Sequence, residues 1–162
     1  NLPGVEFFET SLTKLPFADA SLAGGLCWRV LHNLIDAEEV IASLLEINRT
    51  LKTDAPLLMA VRAAPEEKRP HWWNPKNSYI HRRANSAGDW REDIYFTPES
   101  LQLLLTLMGF ELIYCEPIKE NEKIGATTID NNYLAAHILK KKSTIDHEWI
   151  SMVHKLIVKF QG

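Results

Sequence analysis

Leu22-Ala-Gly-Gly-Leu-Cys-Trp-Arg-Val-Leu-His-Asn-Leu34 is a near-continuous apolar run, and Asp36 and Glu39 stand three residues apart just beyond it. A run of this kind suits a strand buried on both faces. The Asp36/Glu39 spacing is that of a capping box, which satisfies orphan amides at a helix start and is worth about 1 kcal/mol. Val40, Ile41, Leu44, Ile47 and Leu51 then recur at helical spacing, giving one apolar stripe that must lie against something. Glu38 and Glu39 at the front and Arg49 and Lys52 at the back complement the helix dipole, so a helix is predicted over 37–51. Thr53-Asp54 supplies a turn and Pro56-Leu-Leu-Met-Ala-Val61 a second apolar run. Strand, crossover helix and parallel strand make this an α/β protein.

Outward from this unit, residues 5–10 are β-prone and predict one more strand, followed by a loop at Pro16 and Asp19. Residues 65–95 contain Pro65, Pro70 and Pro75, which discourage a long helix, and gather Trp72, Trp73, Tyr79 and Trp90. They predict a lid-like insertion, domain span 65–96, with five Lys or Arg and no acidic residue between 68 and 88. Thr97 and Pro98 read as the cap and first residue of a helix whose buried face is Leu101, Leu104, Leu105 and Met108. Gly109 suits a left-handed cap, and a strand over 111–115 is expected to stop at Pro117, with a polar loop after it. Tyr133-Leu-Ala-Ala-His-Ile-Leu139 is the last predicted strand. Ile145, Trp149, Met152, Val153, Leu156, Ile157 and Phe160 keep helical spacing, so an amphipathic helix is expected over 143–162, after an α/β domain over 1–142.

The chain has 162 residues, 46% hydrophobic and 24% charged, with a net charge of −3 and a sequence pI near 6.1. That balance fits one globular domain and argues against a generally basic protein that coats nucleic acid. Cys27 and Cys115 fall inside predicted strands without metal-ligand spacing, which reads as buried thiols of a reducing compartment. No metal site is expected. With no run of membrane-spanning length and no signal peptide visible, the expectation is a cytoplasmic protein away from membranes. Asn1 in place of Met suggests a part of a longer chain.

Five collinear segments carry a resemblance: Leu15-Pro-Phe-Ala-Asp-Ala-Ser21, Val30-Leu-His-Asn-Leu34, Glu46-Ile-Asn-Arg-Thr-Leu-Lys52, Phe96-Thr-Pro-Glu-Ser-Leu101 and Gly109-Phe-Glu111. In this order and spacing the chain resembles the second half of a class I S-adenosylmethionine-dependent methyltransferase of the small-molecule type. The resemblance implies a Rossmann-like sheet, mostly parallel with an antiparallel last strand and truncated at the N-terminus, plus the C-terminal helix. It implies S-adenosylmethionine as cofactor, contacted by Ser11 and Leu12 in one loop and by Cys27, Trp28 and Arg29 at the end of the central strand. It also implies a small-molecule substrate. There are departures. The adenine-side acid is Ser11 here, the small strand-end residue is Trp28, and the usual Pro-Gly-Gly turn is Thr53-Asp-Ala55. The glycine-rich cofactor loop belongs to strands that would precede residue 1, and Gly24-Gly25 lies inside a predicted strand.

His32, in the loop after that strand, and His71, Trp72, Trp73 and His81 of the insertion are the candidate substrate-binding residues. An imidazole titrates near neutrality, and aromatic faces suit a ring or a methylated cation. The plainer alternatives are a loop-ordering histidine and aromatics tucked onto the core. No catalytic residue is singled out, because methyl transfer depends on in-line positioning more than on a fixed acid or base. Two functions follow: the carboxyl-terminal portion of a methyltransferase, or a non-catalytic interaction module with the same fold. Without the preceding strands the strand at Leu26 becomes an apolar edge, so a homodimer or a complex with the missing N-terminal half is expected.

Overall fold

The computed structural model describes residues 3–34, 37–64, 80–84, 90–124 and 127–141. The predicted cap Asp36, the aromatic residues 71–79 and the expected helix over 143–162 lie outside the described residues. The central unit folds as its sequence dictates: β1 (Gly25–Trp28), α1 (Ala37–Thr50) and β2 (Pro56–Arg62), with β1 and β2 parallel and Leu26 opposite Leu58. Val40, Ile41, Leu44, Ile47 and Leu51 are all buried. Each such side chain withdrawn from water contributes about 1.5–3 kcal/mol. Asp54 turns the chain at φ +61 between α1 and β2.

The remaining elements are β3 (Ile80–Ala84), β4 (Trp90–Ile94), α2 (Pro98–Leu107), β5 (Phe110–Ile124) and β6 (Thr127–Lys140). One sheet has the order β1-β2-β6-β5, in which β6 runs against both of its neighbours. Three strands therefore share a direction and one is reversed, as expected. Cys27, Met59 and Ala136 lie in register across the sheet, and with Leu57, Val61, Leu134 and Ile138 they join the apolar stripes of both helices in a single core.

α2 starts on a reciprocal cap: Ser100 N–H donates to Thr97 Oγ1 at 3.2 Å, and Thr97 N–H donates to Ser100 Oγ at 2.9 Å. Leu101, Leu105 and Met108 are buried, and Gly109 takes φ +79 at the helix end, a conformation open to glycine at little cost. Helix ends leave carbonyls without partners. Here Asn48 of α1 supplies a donor, its Nδ2 reaching Met108 O at 2.9 Å and Gly109 O at 3.4 Å.

Four expectations need correction. β1 is four residues long rather than a run through 22–34, and only Cys27 in it is buried. Leu26 and Trp28, on the opposite face from Cys27, are exposed. Residues 5–10 form no strand, and among the described residues no other segment pairs with them. Pro117 does not stop β5; it lies opposite Leu134, and because among the described residues β5 is paired on one side only, the missing N–H can face away from the ladder. The expected polar loop after it is instead a continuation of the β5/β6 ribbon. Within the insertion the described residues 80–84 and 90–94 pair antiparallel as β3 and β4.

The segment 15–19 is fastened to the last turns of α1. Glu46 Oε1 accepts from Leu15 N–H at 2.8 Å. The same carboxylate accepts from Arg49 Nε at 2.8 Å and Nη2 at 2.7 Å, and Arg49 also pairs with Asp19. The hydrogen bonds from Arg49 hold the Glu46 carboxyl below its ordinary value of 4.5. A depressed folded-state value means that this stabilisation is complete above pH 4.5 and is lost as the pH falls through the lowered value. Glu46→Gln should therefore cost about 1–2 kcal/mol at pH 7, the range for partly solvated hydrogen bonds to charged groups. The deficit should shrink toward zero in acid. Urea unfolding at neutral and acid pH checks this; a deficit equal at both would show that the carboxylate charge is irrelevant.

Candidate functional site

β1 and β2 are parallel neighbours, and open α/β sheets bind ligands beyond the carboxyl ends of such strands. At the end of β1 the chain turns sharply: Arg29 takes φ +62 and donates its N–H to Ala60 O at 2.9 Å. A short 3-10 turn, Leu31–Asn33, follows. Asn33 Nδ2 ties it back to Arg29 O at 2.8 Å. β2 ends in Arg62, which lies opposite Tyr133 of β6. Tyr95, at the return of the insertion, stands beside the same arginine, with 5.9 Å from Arg62 Cζ to its ring centroid.

These residues form one cluster. The Tyr133 ring, 1% exposed, meets Arg29 Cζ at 4.5 Å and Arg62 Cζ at 5.3 Å from its centroid. His32, also buried, lies with its ring centroid 5.9 Å from that of Tyr133. Arg29 Nη1 reaches across to Glu120 Oε2 on β5 at 3.0 Å, with both side chains 37% exposed. An ion pair so open to water is worth about 1 kcal/mol or less, and each cation–π contact roughly 0.5–2 kcal/mol according to its desolvation. Two guanidinium groups and one carboxylate thus converge at the strand ends. Such a set can hold a carboxylate or phosphate, with Arg29 exchanging Glu120 for it.

The expected site residues are brought together only in part. Arg29 and His32 stand in the cluster, and Trp28 is half-open to solvent at the strand end on the same sheet face as Arg62. Cys27 points the other way, into the core, and burial pushes its thiol up to about 11; at neutral pH it is protonated and inert. Ser11 is exposed and bonds to Thr13 at 2.8 Å, and Leu12 packs against the core. Among the described residues no hydrogen bond joins either to the Arg29 turn. His81 lies in β3 opposite Asp93; its side chain, like His71, Trp72 and Trp73, lies outside the described residues. Arg62, Tyr133, Tyr95 and Glu120 were not foreseen. Arg62 offered a faint signal, as the charge that ends the apolar run of β2, whereas the register that sets it against Tyr133 leaves no trace in local sequence.

No family model matches the sequence, and no curated protein does either. Solved structures do. A SAM-dependent methyltransferase of Methanosarcina mazei is 19% identical with a TM-score of 0.68, over 83% of this chain and 66% of that one. A Burkholderia thailandensis 1,6-didemethyltoxoflavin-N1-methyltransferase, solved with 1,6-didemethyltoxoflavin and S-adenosylhomocysteine bound, is 18% identical with a TM-score of 0.52, over 81% of this chain and 48% of that one. A SAM-dependent methyltransferase of Thermotoga maritima is 17% identical with a TM-score of 0.55, over 85% and 65%. The chain has the class I methyltransferase fold. It spans about two thirds or less of the length of each of these three proteins.

Within the methyltransferase fold, the glycine pair does not fit a cradle for the cofactor's amino-acid end. A Cβ on Gly24 would stand 3.2 Å from Pro56 O, and one on Gly25 3.1 Å from Leu57 Cδ1. Their missing side chains let β1 and β2 approach, and leave no open space for a ligand. Among the described residues no group of three or more His, Cys, Asp or Glu side chains is placed to hold a metal ion, and no helix is long and apolar enough to cross a membrane.

Tyr133 is expected to work through its ring. Its hydroxyl lies 3.5 Å from Arg62 Nη2, at the limit of a hydrogen bond, so Tyr133→Phe should cost under about 1 kcal/mol. Tyr133→Ala opens a cavity between the two guanidinium groups and should cost about 3–5 kcal/mol. Chemical denaturation of the two variants separates the roles; similar losses in both would place the stabilisation in the hydroxyl.

Proposed function

We propose that this chain is the carboxyl-terminal portion of an S-adenosylmethionine-dependent methyltransferase acting on a small molecule in the cytoplasm. The observation that carries the reading is the cluster of Arg29, His32, Arg62 and Tyr133 at the carboxyl ends of two parallel strands in a methyltransferase fold. The product cofactor bound in the Burkholderia structure supports the same cofactor here. Arg29 and Trp28 would border it, His32 and the insertion with His71, Trp72, Trp73 and His81 would face the acceptor, and Arg29 and Arg62 favour an acceptor carrying negative charge. Gly24 and Gly25 do not form the cradle for the amino-acid end, and on this reading it would come from a preceding half or from a second molecule. β1, unpaired on one side among the described residues, is the place where such a partner would add its strand.

A second reading is a non-catalytic module, favoured by one observation: Gly24 and Gly25 serve the packing of β1 on β2. Calorimetric titration with S-adenosylhomocysteine decides between the two. The isolated chain should bind more weakly than about 100 μM, and the polypeptide carrying a glycine-rich strand-to-helix unit ahead of residue 1 in the micromolar range. In that longer form Arg29→Ala should lower kcat/KM about tenfold or more. Absence of binding in every form would leave the non-catalytic module as the function.

A further inference from the structure

Glu120 is carried to the candidate site by the ribbon. β2 stops at Arg62, opposite Tyr133, whereas β5 and β6 run on as a pair as far as Ile124 and Thr127. Ile118 is the β5 partner of Tyr133, so Glu120, two residues further on, lies about 7 Å past the end of β2 on the same sheet face. That is the side on which open α/β sheets take their ligands. There Glu120 Oε2 accepts from Arg29 Nη1 at 3.0 Å, and both side chains are 37% exposed. Arg29 is fixed independently of Glu120: its N–H donates to Ala60 O, its carbonyl accepts from Asn33 Nδ2, and its guanidinium lies over the Tyr133 ring.

A guanidinium has several N–H donors and a carboxylate two acceptor oxygens, so one hydrogen bond between them leaves a donor edge and an acceptor oxygen side by side and open to water. Small molecules meet such a pair differently according to charge. An anion that approaches Arg29 gains that charge but stands beside Glu120, and a cation at Glu120 stands beside Arg29. A zwitterion with its opposite charges on neighbouring atoms closes an alternating ring, in which each charge has an opposite one on either side. Resting on the reading that this cluster faces the methyl acceptor, we propose that Glu120 is a specificity-determining residue and that the acceptor is a zwitterion of the α-amino acid kind, its carboxylate on Arg29 and its ammonium on Glu120. The inference narrows the acceptor from any negatively charged molecule to one that carries a cation next to the anion.

Three probes that share a skeleton and differ in charge test this: phenylalanine, 3-phenylpropionate and 2-phenylethylamine, titrated into the chain at neutral pH and followed by the amide NMR shifts of Arg29 and Glu120. Phenylalanine should bind about three- to fivefold more tightly than either of the others, which is what one exposed ion contact supplies. In Glu120→Gln, which keeps the shape of a half-exposed side chain, phenylalanine and 3-phenylpropionate should bind about equally, with the anion held at least as well as before. Glu120→Asp should retain the preference. Equal binding of phenylalanine and 3-phenylpropionate by the unaltered chain overturns the proposal, as does a preference that survives Glu120→Gln, or binding of none of the three. The amino-acid end of the cofactor is a zwitterion too, and competition separates the sources. In the polypeptide carrying a glycine-rich unit ahead of residue 1, saturated with S-adenosylhomocysteine, phenylalanine should keep its affinity within about threefold; its exclusion assigns the pair to the cofactor and overturns the acceptor assignment. The titrations of the chain itself need neither cofactor nor turnover. A preference that holds where no form binds S-adenosylhomocysteine therefore removes the methyltransferase reading and leaves the zwitterion site standing.

Discussion

Parallel strands cannot be joined by a tight turn, and this constraint makes α1 the part on which the rest leans. Fourteen residues have to return the chain from the end of β1 to the start of β2, and in doing so they serve three neighbours. The apolar stripe packs into the sheet core, Glu46 and Arg49 fasten the 15–19 segment, and Asn48 closes the carbonyl end of α2. The polar contacts come from the last turns of the helix. A buried asparagine is costly unless its donors are used, and here its amide meets Met108 O at the end of the helix, where carbonyls lack intrahelical partners, while Gly109 O also accepts from Lys141 N–H at 3.0 Å. The cost on one helix and the need on the other cancel.

The cluster at the strand ends is built from the same economy. Tyr133 sits on the inner strand β6, so its ring is fixed by neighbours on both sides, while Arg29 and Arg62 arrive from the ends of β1 and β2. Arg29 holds a left-handed conformation that a side chain takes only at some cost, of order 1–3 kcal/mol where it persists. That conformation turns the backbone out of β1 within one residue and directs the guanidinium toward Glu120. Strain in the backbone, contact with the ring and the ion pair on β5 are thus one arrangement rather than three.

How much of this was legible in the sequence depended on the range of the interaction. α1, β2 and α2 announced themselves through periodicity, a cap and a terminal glycine, all within a dozen residues. The parallel β1/β2 pairing followed from the helix between them. Strand limits did not follow. The run 22–34 reads as one strand, but Arg29 breaks it, and the continuation becomes a 3-10 turn. Pro117 reads as a stop only if β5 has partners on both sides. The candidate site was half legible: Arg29 and His32 lie next to a recognisable strand end, whereas Arg62 meets Tyr133 across 71 residues of sequence and Arg29 meets Glu120 across 91, about which local sequence is silent.

The strand order has a consequence for how such a chain comes off the ribosome. β6 is the last strand described, yet it occupies an inner place between β2 and β5. Until it is made, β2 has β1 on one side and bare amides and carbonyls on the other, so the nascent sheet carries a gap in its middle. At about 5–20 residues per second, β2 waits roughly 4–16 s between leaving the synthetic machinery and the arrival of β6. Through that interval an apolar strand edge is open to any other extended chain nearby. A nascent polypeptide of this topology is a natural client for chaperones that bind emerging segments, and its yield on expression depends on how that waiting time is covered.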